Sequence, residues 1–277
     1  MDASRQVPIR LMVSDVDGTL VRPDKSIAEA TVAAVRRLGA AGVPMTLISA
    51  RPPSGMIWIA ELLGIESTLG AFNGGTLIAP DGRLLSESPL AEPVSRAAVE
   101  RLDRPGVSIW VFAGGHWYAT DPNEPHIPRE IRSTCIDPII MSDLSGMLAR
   151  ADKIVGVSDD DALLGGIEAE LQASWGEQAT IARSQPYYLD ITHRAANKGD
   201  GVAALAAAAG VALDEVAVIG DMANDLPMFA RAGLSIAMGQ APDRVRRAAD
   251  IVTVSNAEDG VAHAIDQFVL PRIARAA

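Results

Sequence analysis

Between residues 9 and 72 short apolar runs alternate with amphipathic periods, and no other feature of the chain restricts its fold as much. Ile9–Ser14, Val43–Ser49 and Thr68–Phe72 read as buried strands, brief and apolar with polar or glycine residues beyond them. Ile27–Ala41 carries Ile27, Val32, Val35 and Leu38 on a helical period stopped by Gly39 and Gly42, and Ser54–Leu63 reads as a second helix. A βαβαβ order predicts a parallel sheet with helices on its faces. Such sheets bind ligands beyond the carboxyl ends of their strands.

The rhythm breaks after Asn73. Thr76–Ala79 and Arg83–Leu85 flank Pro80-Asp81-Gly82 as a hairpin. A helix (Val94–Leu102), paired strands (Val107–Phe112 and His116–Thr120) and a Pro-rich loop (Pro122–Pro128) follow. A strand (Lys153–Val157), a helix (Asp160–Ala173) and two strands (Ala179–Arg183 and Tyr187–Thr192) come next. The first rhythm then resumes with a helix (Lys198–Ala209), a strand (Glu215–Ile219), a helix (Asn224–Ala232), a strand (Leu234–Ala237) and a helix (Pro242–Ala249), before Asp250–Val254 and Asp259–Phe268. The pattern predicts an α/β core from residues 1–82 and 191–277, with an α+β unit of residues 83–190 inserted into it.

Composition narrows the function. The formal charge of −11 argues against nucleic-acid or anionic-membrane partners, which call for a basic field. One cysteine, Cys135, excludes an internal disulfide framework and a zinc ribbon and suits a reducing compartment. The four histidines lack HxxxH or HExxH spacing, and neither GxxxxGK[ST] nor GxGxxG occurs. Asp2, Arg5 and Arg10 argue against a secretory leader, and Gly201–Leu213 is too short for a spanning helix. The expected location is the cytoplasm.

Three acidic or hydroxyl motifs stand where strands end. Asp15-Val16-Asp17-Gly18-Thr19 puts two carboxylates on one loop, with Gly18 letting the backbone approach a ligand. One carboxylate can be a phosphoryl-transfer nucleophile and the other a general acid and base, although a bare DxDG fits an acidic turn equally well. Asp221 and Asp225 of Gly220-Asp221-Met222-Ala223-Asn224-Asp225 should lie on the same sheet edge. Four clustered carboxylates without His or Cys favour Mg²⁺, while alone Asn224 or Asp225 reads as a helix cap. Ser49, before Ala50-Arg51, can face a phosphate or cap a helix. Lys198 starts a helix, where a cation is unfavourable, and so invites an anionic partner such as Asp15 or phosphate.

In this order and spacing, Asp15-x-Asp17-Gly18-Thr19, Ser49, Lys198 and Gly220-Asp221-x-x-Asn224-Asp225 resemble the four motifs of the haloacid dehalogenase-like (HAD) superfamily. The 149 positions from Ser49 to Lys198 match its Cof-type subfamily, whose α/β (C2B-type) cap is inserted between the second and third motifs. Ala71-Phe72-Asn73-Gly74-Gly75, Tyr188-Leu189-Asp190-Ile191, Ala237-Met238-Gly239 and Asn256–Ala262 resemble it too. Departures are small: Ser49-Ala50-Arg51 where Thr-Gly-Arg is commoner, and Gly75 where Ala is usual.

The resemblance implies a Rossmann-like parallel-sheet HAD core with an inserted α+β cap. It implies Asp15 as nucleophile and Asp17 as general acid/base. Mg²⁺ would be held by the Asp15 side chain, the Asp17 backbone carbonyl and Asp221, with Asp225 in support. Ser49, Ala50, Arg51, Lys198 and Asn224 would bind phosphate. The implied activity is phosphatase action on small phosphorylated metabolites, sugar phosphates foremost, by a monomer or weak homodimer without nucleic-acid or membrane partners. A phosphomutase, a phospho-disaccharide phosphatase and a non-catalytic sugar-phosphate sensor are the alternatives. Specificity is expected in cap loops around Ala113–Trp117 and Pro122–Pro128, Met222 as core filler, and Asp159-Asp160-Asp161 as a helix cap.

Overall fold

The computed structural model describes residues 7–273; Asp2 and Arg5 lie outside the described residues. The first segment runs β1 (Leu11–Ser14), α1 (Glu29–Ala40), β2 (Met45–Leu47), α2 (Ser54–Leu63), β3 (Leu69–Ala71), β4 (Thr76–Ile78) and β5 (Leu84–Glu87). Next come α3 (Glu92–Leu102), β6 (Ser108–Ala113), β7 (His116–Ala119), α4 (Ile127–Thr134) and β8 (Ile139–Ile140). β9 (Lys153–Val157), α5 (Asp161–Trp175), β10 (Ala179–Gln185) and β11 (Tyr188–His193) follow. The last segment holds α6 (Lys198–Ala209), β12 (Val216–Gly220), α7 (Leu226–Phe229), β13 (Leu234–Ala237), α8 (Asp243–Ala248), β14 (Ile251–Val252) and α9 (Gly260–Ala264).

A five-stranded parallel sheet, in the order β14-β13-β12-β1-β2, forms the core. Side chains alternate across it, as the period of two requires. Met12 of β1 and Ala217 and Ile219 of β12 face one apolar cluster, while Leu11, Val13, Val216 and Val218 face the other. With β1 buried on both faces, an unbroken apolar strand is what a central parallel strand needs. Thr68–Phe72 departs from expectation. β3 pairs antiparallel with β4, and a single parallel bridge, Ile48–Gly70, joins it to the end of β2. Positive φ at Phe72, Asn73 and Gly74 reverses the chain there, so β3 leads into the hairpin β4–β5 instead of extending the parallel sheet.

A second sheet of six strands, β10-β11-β9-β6-β7-β8, comes wholly from residues 108–193. One face is covered by α3 and α5 through Val94, Ala98, Leu102, Leu164, Ile167 and Leu171. The other face carries Trp110, Phe112, Trp117 and Tyr188 and joins the core cluster, with Phe112 edge-on to Phe72 at 5.8 Å. Phe72, Phe112, Trp110, Trp117 and Tyr188 are therefore gathered in one apolar cluster with the core.

Caps fix the helix starts. Asp160 accepts from the Leu163 N–H at the start of α5 (3.0 Å), and Asn197 accepts from the Asp200 N–H at the start of α6 (2.9 Å). The helix expected over Asn224–Ala232 is shorter: a 3₁₀ turn at Ala223–Asp225 precedes a single turn, α7. Helix α4 interrupts the stretch expected to be a Pro-rich loop. Pro128 sits in its first turn, where a missing N–H costs nothing. Among the described residues no helix is long and apolar enough to cross a membrane.

Candidate active site

The central position of β1 brings the motifs together. Its neighbours are β2 and β12, so Asp15, Ser49 and Asp221 leave three adjacent parallel strands at the same edge. The ladder continues into the site: the Asp15 N–H donates to Ile219 O (3.0 Å) and the Ile48 N–H to Ser14 O (2.9 Å). Lys198 reaches this edge from the first turn of α6.

Lys198 is 1% exposed and lies between two carboxylates. Its Nζ donates to Asp15 Oδ1 at 2.5 Å and to Asp225 Oδ1 at 2.6 Å. The other Asp225 oxygen accepts the backbone N–H groups of Asp221 and Met222, both at 2.8 Å. Asp225 is thus fully engaged, holding the lysine and the loop after β12. Asp15 Oδ2, by contrast, is buried and has no hydrogen-bond partner among the described residues.

Asp15, Asp221 and Asp225 bring carboxylate oxygens within 4.8 Å of one another. Three buried carboxylates lie beside one ammonium, and burial together with the excess negative charge shows in the acidities of Asp15 and Asp221. Burial pushes Asp15 up to about 6 against the pull of Lys198, with Asp225 adding to the rise. Burial, then the charges of Asp15 and Asp225, push Asp221 up to about 8. Burial pulls the pKa of the Lys198 ammonium down, but the two carboxylates outweigh it and hold it above its ordinary value, so the lysine stays charged.

The donor set fits a hard divalent cation. The bare Asp15 oxygen and Asp221 Oδ2 are open to ligate, whereas Asp221 Oδ1 accepts from Thr19 Oγ1 at 3.2 Å and the oxygens of Asp225 are committed. Two glycines make the cluster this tight. A Cβ on Gly18, at φ +82°, would lie 2.2 Å from Asp221 Oδ2. One on Gly220 would lie 2.4 Å from the Asp225 carboxyl carbon.

Asp17 turns away from this cluster. Its Oδ2 accepts from Arg51 Nε (2.6 Å), and its Oδ1 accepts from Arg51 (2.9 Å) and from Lys25 Nζ (2.6 Å). Burial opposes ionisation of Asp17, but the bonds and charges of Arg51 and Lys25 prevail and hold it well below the usual carboxylate range. Arg51 is therefore a partner of Asp17 here. Ser49 is buried and its Oγ accepts the Arg51 N–H at 3.2 Å. Asn224 lines the cleft with its Oδ1 unpartnered, and its Nδ2 is 3.5 Å from Asn73 Oδ1.

The far wall of the cleft comes from the six-stranded sheet. Arg129, Glu130 and Ser133 project from α4, Lys153 from β9, and Ser184, Gln185, Tyr187 and Tyr188 from the β10–β11 hairpin. Burial pushes the Glu130 carboxyl upward, and none of the hydrogen bonds among the described residues engages that carboxylate. The Tyr187 ring is stacked with His126 (4.5 Å between centroids) and has the Arg129 guanidinium 5.0 Å from its centroid. Neither Ala113–Trp117 nor Pro122–Pro128 contributes a lining residue. Trp117 is fully buried against Trp110, and the intervening turn is anchored by the Gly114 N–H to Asp152. Met222 lines the cleft rather than the core, while Met228 and Met238 are fully buried.

A family model for haloacid dehalogenase-like hydrolases matches residues 12–265. The chain belongs to that family. This HAD-like hydrolase is an enzyme, and two of its relatives are named as phosphatases. It is 28% identical to a putative phosphatase of Haemophilus influenzae, over 93% of this chain and 97% of the relative. It is 30% identical to the HMP-PP phosphatase of Cronobacter sakazakii, over 84% and 85% of the two chains. A haloacid dehalogenase-like hydrolase of Bacteroides thetaiotaomicron has the same fold, at a TM-score of 0.82 and 29% identity over 94% and 99% of the two chains.

Motif spacing missed the cap side of the cleft in this HAD-like hydrolase. Glu130 and Arg129 sit in a stretch without a clear apolar period, so nothing marked their helix. Lys153 did leave a signal: a lone charge at the head of the buried run Ile154–Val157. Lys25 lies ten residues beyond Asp15 in a loop that carries no motif.

Proposed function

We propose that the protein is a Mg²⁺-dependent phosphatase of small phosphorylated metabolites, acting in the cytoplasm through an aspartyl-phosphate on Asp15. The observation that carries this reading is the asymmetry of Asp15: one oxygen is bound to Lys198 and the other is buried, bare and beside the cleft. A carboxylate held that way can ligate a cation through its bare oxygen while Lys198 aligns the other for in-line attack. Asp15, Asp221 and the Asp17 backbone carbonyl would hold Mg²⁺, which when bound supplies positive charge against the phosphoryl oxygens. Lys198 keeps Asp15 aligned and adds a cation at the site. Ser49, whose Oγ already accepts the Arg51 N–H, has its own proton free to donate to phosphate. The backbone of Ala50 and Arg51 and the Asn224 side chain complete the phosphate pocket.

In the first step Asp15 bonds to phosphorus, the bond to the leaving oxygen breaks, and Asp17 protonates that oxygen. In the second step Asp17 takes a proton from water, whose oxygen attacks phosphorus and frees Asp15. The ion pairs to Arg51 and Lys25 keep Asp17 in the carboxylate form that the second step uses. Proton donation in the first step requires that Asp17 leave those partners as substrate arrives.

The family resemblance suggests sugar phosphates or phosphorylated cofactors such as flavin and pyridoxal phosphates. The polar wall favours the sugars, because Glu130, Ser133, Ser184 and Gln185 offer hydrogen-bonding groups to hydroxyls. The residues 83–190 expected as an insert would then act as a cap over the core. Hydrolysis of p-nitrophenyl phosphate with and without Mg²⁺ tests the reading. Turnover that depends on Mg²⁺ and is lost in Asp15→Asn is expected; normal turnover in that variant would sink the assignment.

A further inference from the structure

Lys153 opens β9, a strand otherwise composed of Ile154-Val155-Gly156-Val157, and is 4% exposed. A buried ammonium carries a desolvation cost of several kcal/mol unless it is well paired. Asp190 on the neighbouring strand β11, opposite Val155 and two positions off the register of Lys153, is equally buried; its Oδ2 stands 3.7 Å from Lys153 Nζ, and among the described residues both its oxygens lack a hydrogen-bond partner. The hydrogen bond of Lys153 goes elsewhere. Its Nζ donates to the carbonyl of Ala50 at 3.0 Å, crossing from the six-stranded sheet to the loop after β2. Phe112 and Phe72 flank the ammonium, their ring centroids 4.8 and 5.8 Å away.

The Ala50–Arg51 peptide that Lys153 grips has its other end on the site, because the Arg51 N–H donates to Ser49 Oγ. A cation on a peptide carbonyl polarises the amide and strengthens the bond its N–H makes. That bond in turn leaves the Ser49 hydroxyl proton free for an incoming oxyanion. On the same residue, the Arg51 side chain holds Asp17. One contact from the second sheet therefore secures the peptide between two groups of the phosphate site.

We infer that Lys153 is a positioning residue: seated on the Ala50 carbonyl it shapes the Ser49-Ala50-Arg51 loop for phosphate, and Asp190 is its alternative partner when the two sheets part. The inference rests on the phosphatase reading given above. Phosphate binding and seating of the second sheet are then linked, each favouring the other by the same factor.

The probe is inorganic phosphate, titrated calorimetrically into the full chain with Mg²⁺ present. Lys153→Met should weaken phosphate binding by about 10-fold, the scale of a charge-assisted hydrogen bond. The same variant should raise KM for p-nitrophenyl phosphate by a similar factor while kcat stays within about 3-fold. Lys153→Arg should recover part of the lost affinity. Asp190→Asn removes the competing partner and should bind phosphate more tightly than the wild type, a direction that a merely structural defect does not produce.

Wild-type affinity in Lys153→Met, or unchanged or weaker affinity in Asp190→Asn, overturns the inference. If Lys153→Met does not fold, the Asp190→Asn result decides alone. Wild-type protein that binds phosphate but turns over no p-nitrophenyl phosphate refutes the phosphatase reading and leaves the positioning result standing. Wild-type protein that takes up no phosphate overturns both.

Discussion

Replacing Lys198 by Met tests the charge balance on which the site rests. The variant leaves Asp15, Asp221 and Asp225 with oxygens within 4.8 Å of one another and without their buried cation. At an effective dielectric of about 20, two unit charges at that distance repel by roughly 3–4 kcal/mol. Removing one partner from a buried pair typically costs about 3–5 kcal/mol, because the remaining charge is uncompensated. For a chain of 277 residues unfolding as one unit, that loss lowers Tm by roughly 5–9 °C.

The loss should depend on pH in a defined direction. Without Lys198, Asp15 and Asp221 are raised further above their unfolded values, so between the unfolded and folded values the folded state binds more protons than the unfolded state. Stability of the variant then falls as pH rises through that window, and the deficit against wild type is smaller near about pH 5 and larger near about pH 8. Mg²⁺ should shrink the deficit at the higher pH by supplying the missing charge. Calorimetric melts of both proteins at the two pH values, with and without Mg²⁺, make the measurement. A Lys198→Met protein that melts within about 2 °C of wild type at the higher pH without metal, or that loses more at the lower pH, would refute the reasoning.

Other perturbations probe separate parts of the site. Asp17→Asn should lower kcat by roughly 10²–10⁴-fold, the usual worth of a general acid/base, and wild-type kcat would remove Asp17 from that role. Gly18→Ala drives a Cβ to 2.2 Å from Asp221 Oδ2 at φ +82°, so Mg²⁺-dependent turnover should fall by roughly 10²-fold, the cost of misplacing catalytic groups by about an ångström. Burial and then Glu87 push Asp152 up to about 6, so the folded state holds its proton across a window where the unfolded chain has lost it. Wild-type stability should therefore fall as pH rises from about 4 to about 6, and Asp152→Asn should gain roughly 1–2 kcal/mol on wild type over that interval, after allowance for the partial exposure of the group. Urea unfolding at the two ends of the window reads this out, and a constant difference between the proteins contradicts it.

Much of the core was legible because its signals are local. Leu11–Ser14, Ser54–Leu63 and Lys198–Ala209 declare themselves by apolar period and by their stops, and each stands in the structure within a few residues of its expected bounds. Strand ends carried the chemistry, and the parallel order of β2, β1 and β12 was enough to bring Ser49, Asp15 and Asp221 to one edge. The shortened helix at Asn224 was not legible, because Asp225 caps the preceding loop and anchors Lys198 instead of opening a regular helix.

By itself the sequence determined the alternation of elements, the acidic edge of the parallel sheet and the family resemblance. These follow from residue type and spacing over a few turns of chain. Only the tertiary structure decided which groups share a charge: Lys198 between Asp15 and Asp225, Asp17 clamped by Arg51 and Lys25, Lys153 reaching Ala50 from another sheet. Those pairings join residues up to 183 positions apart, and electrostatics and burial act through space, at distances that no local pattern encodes.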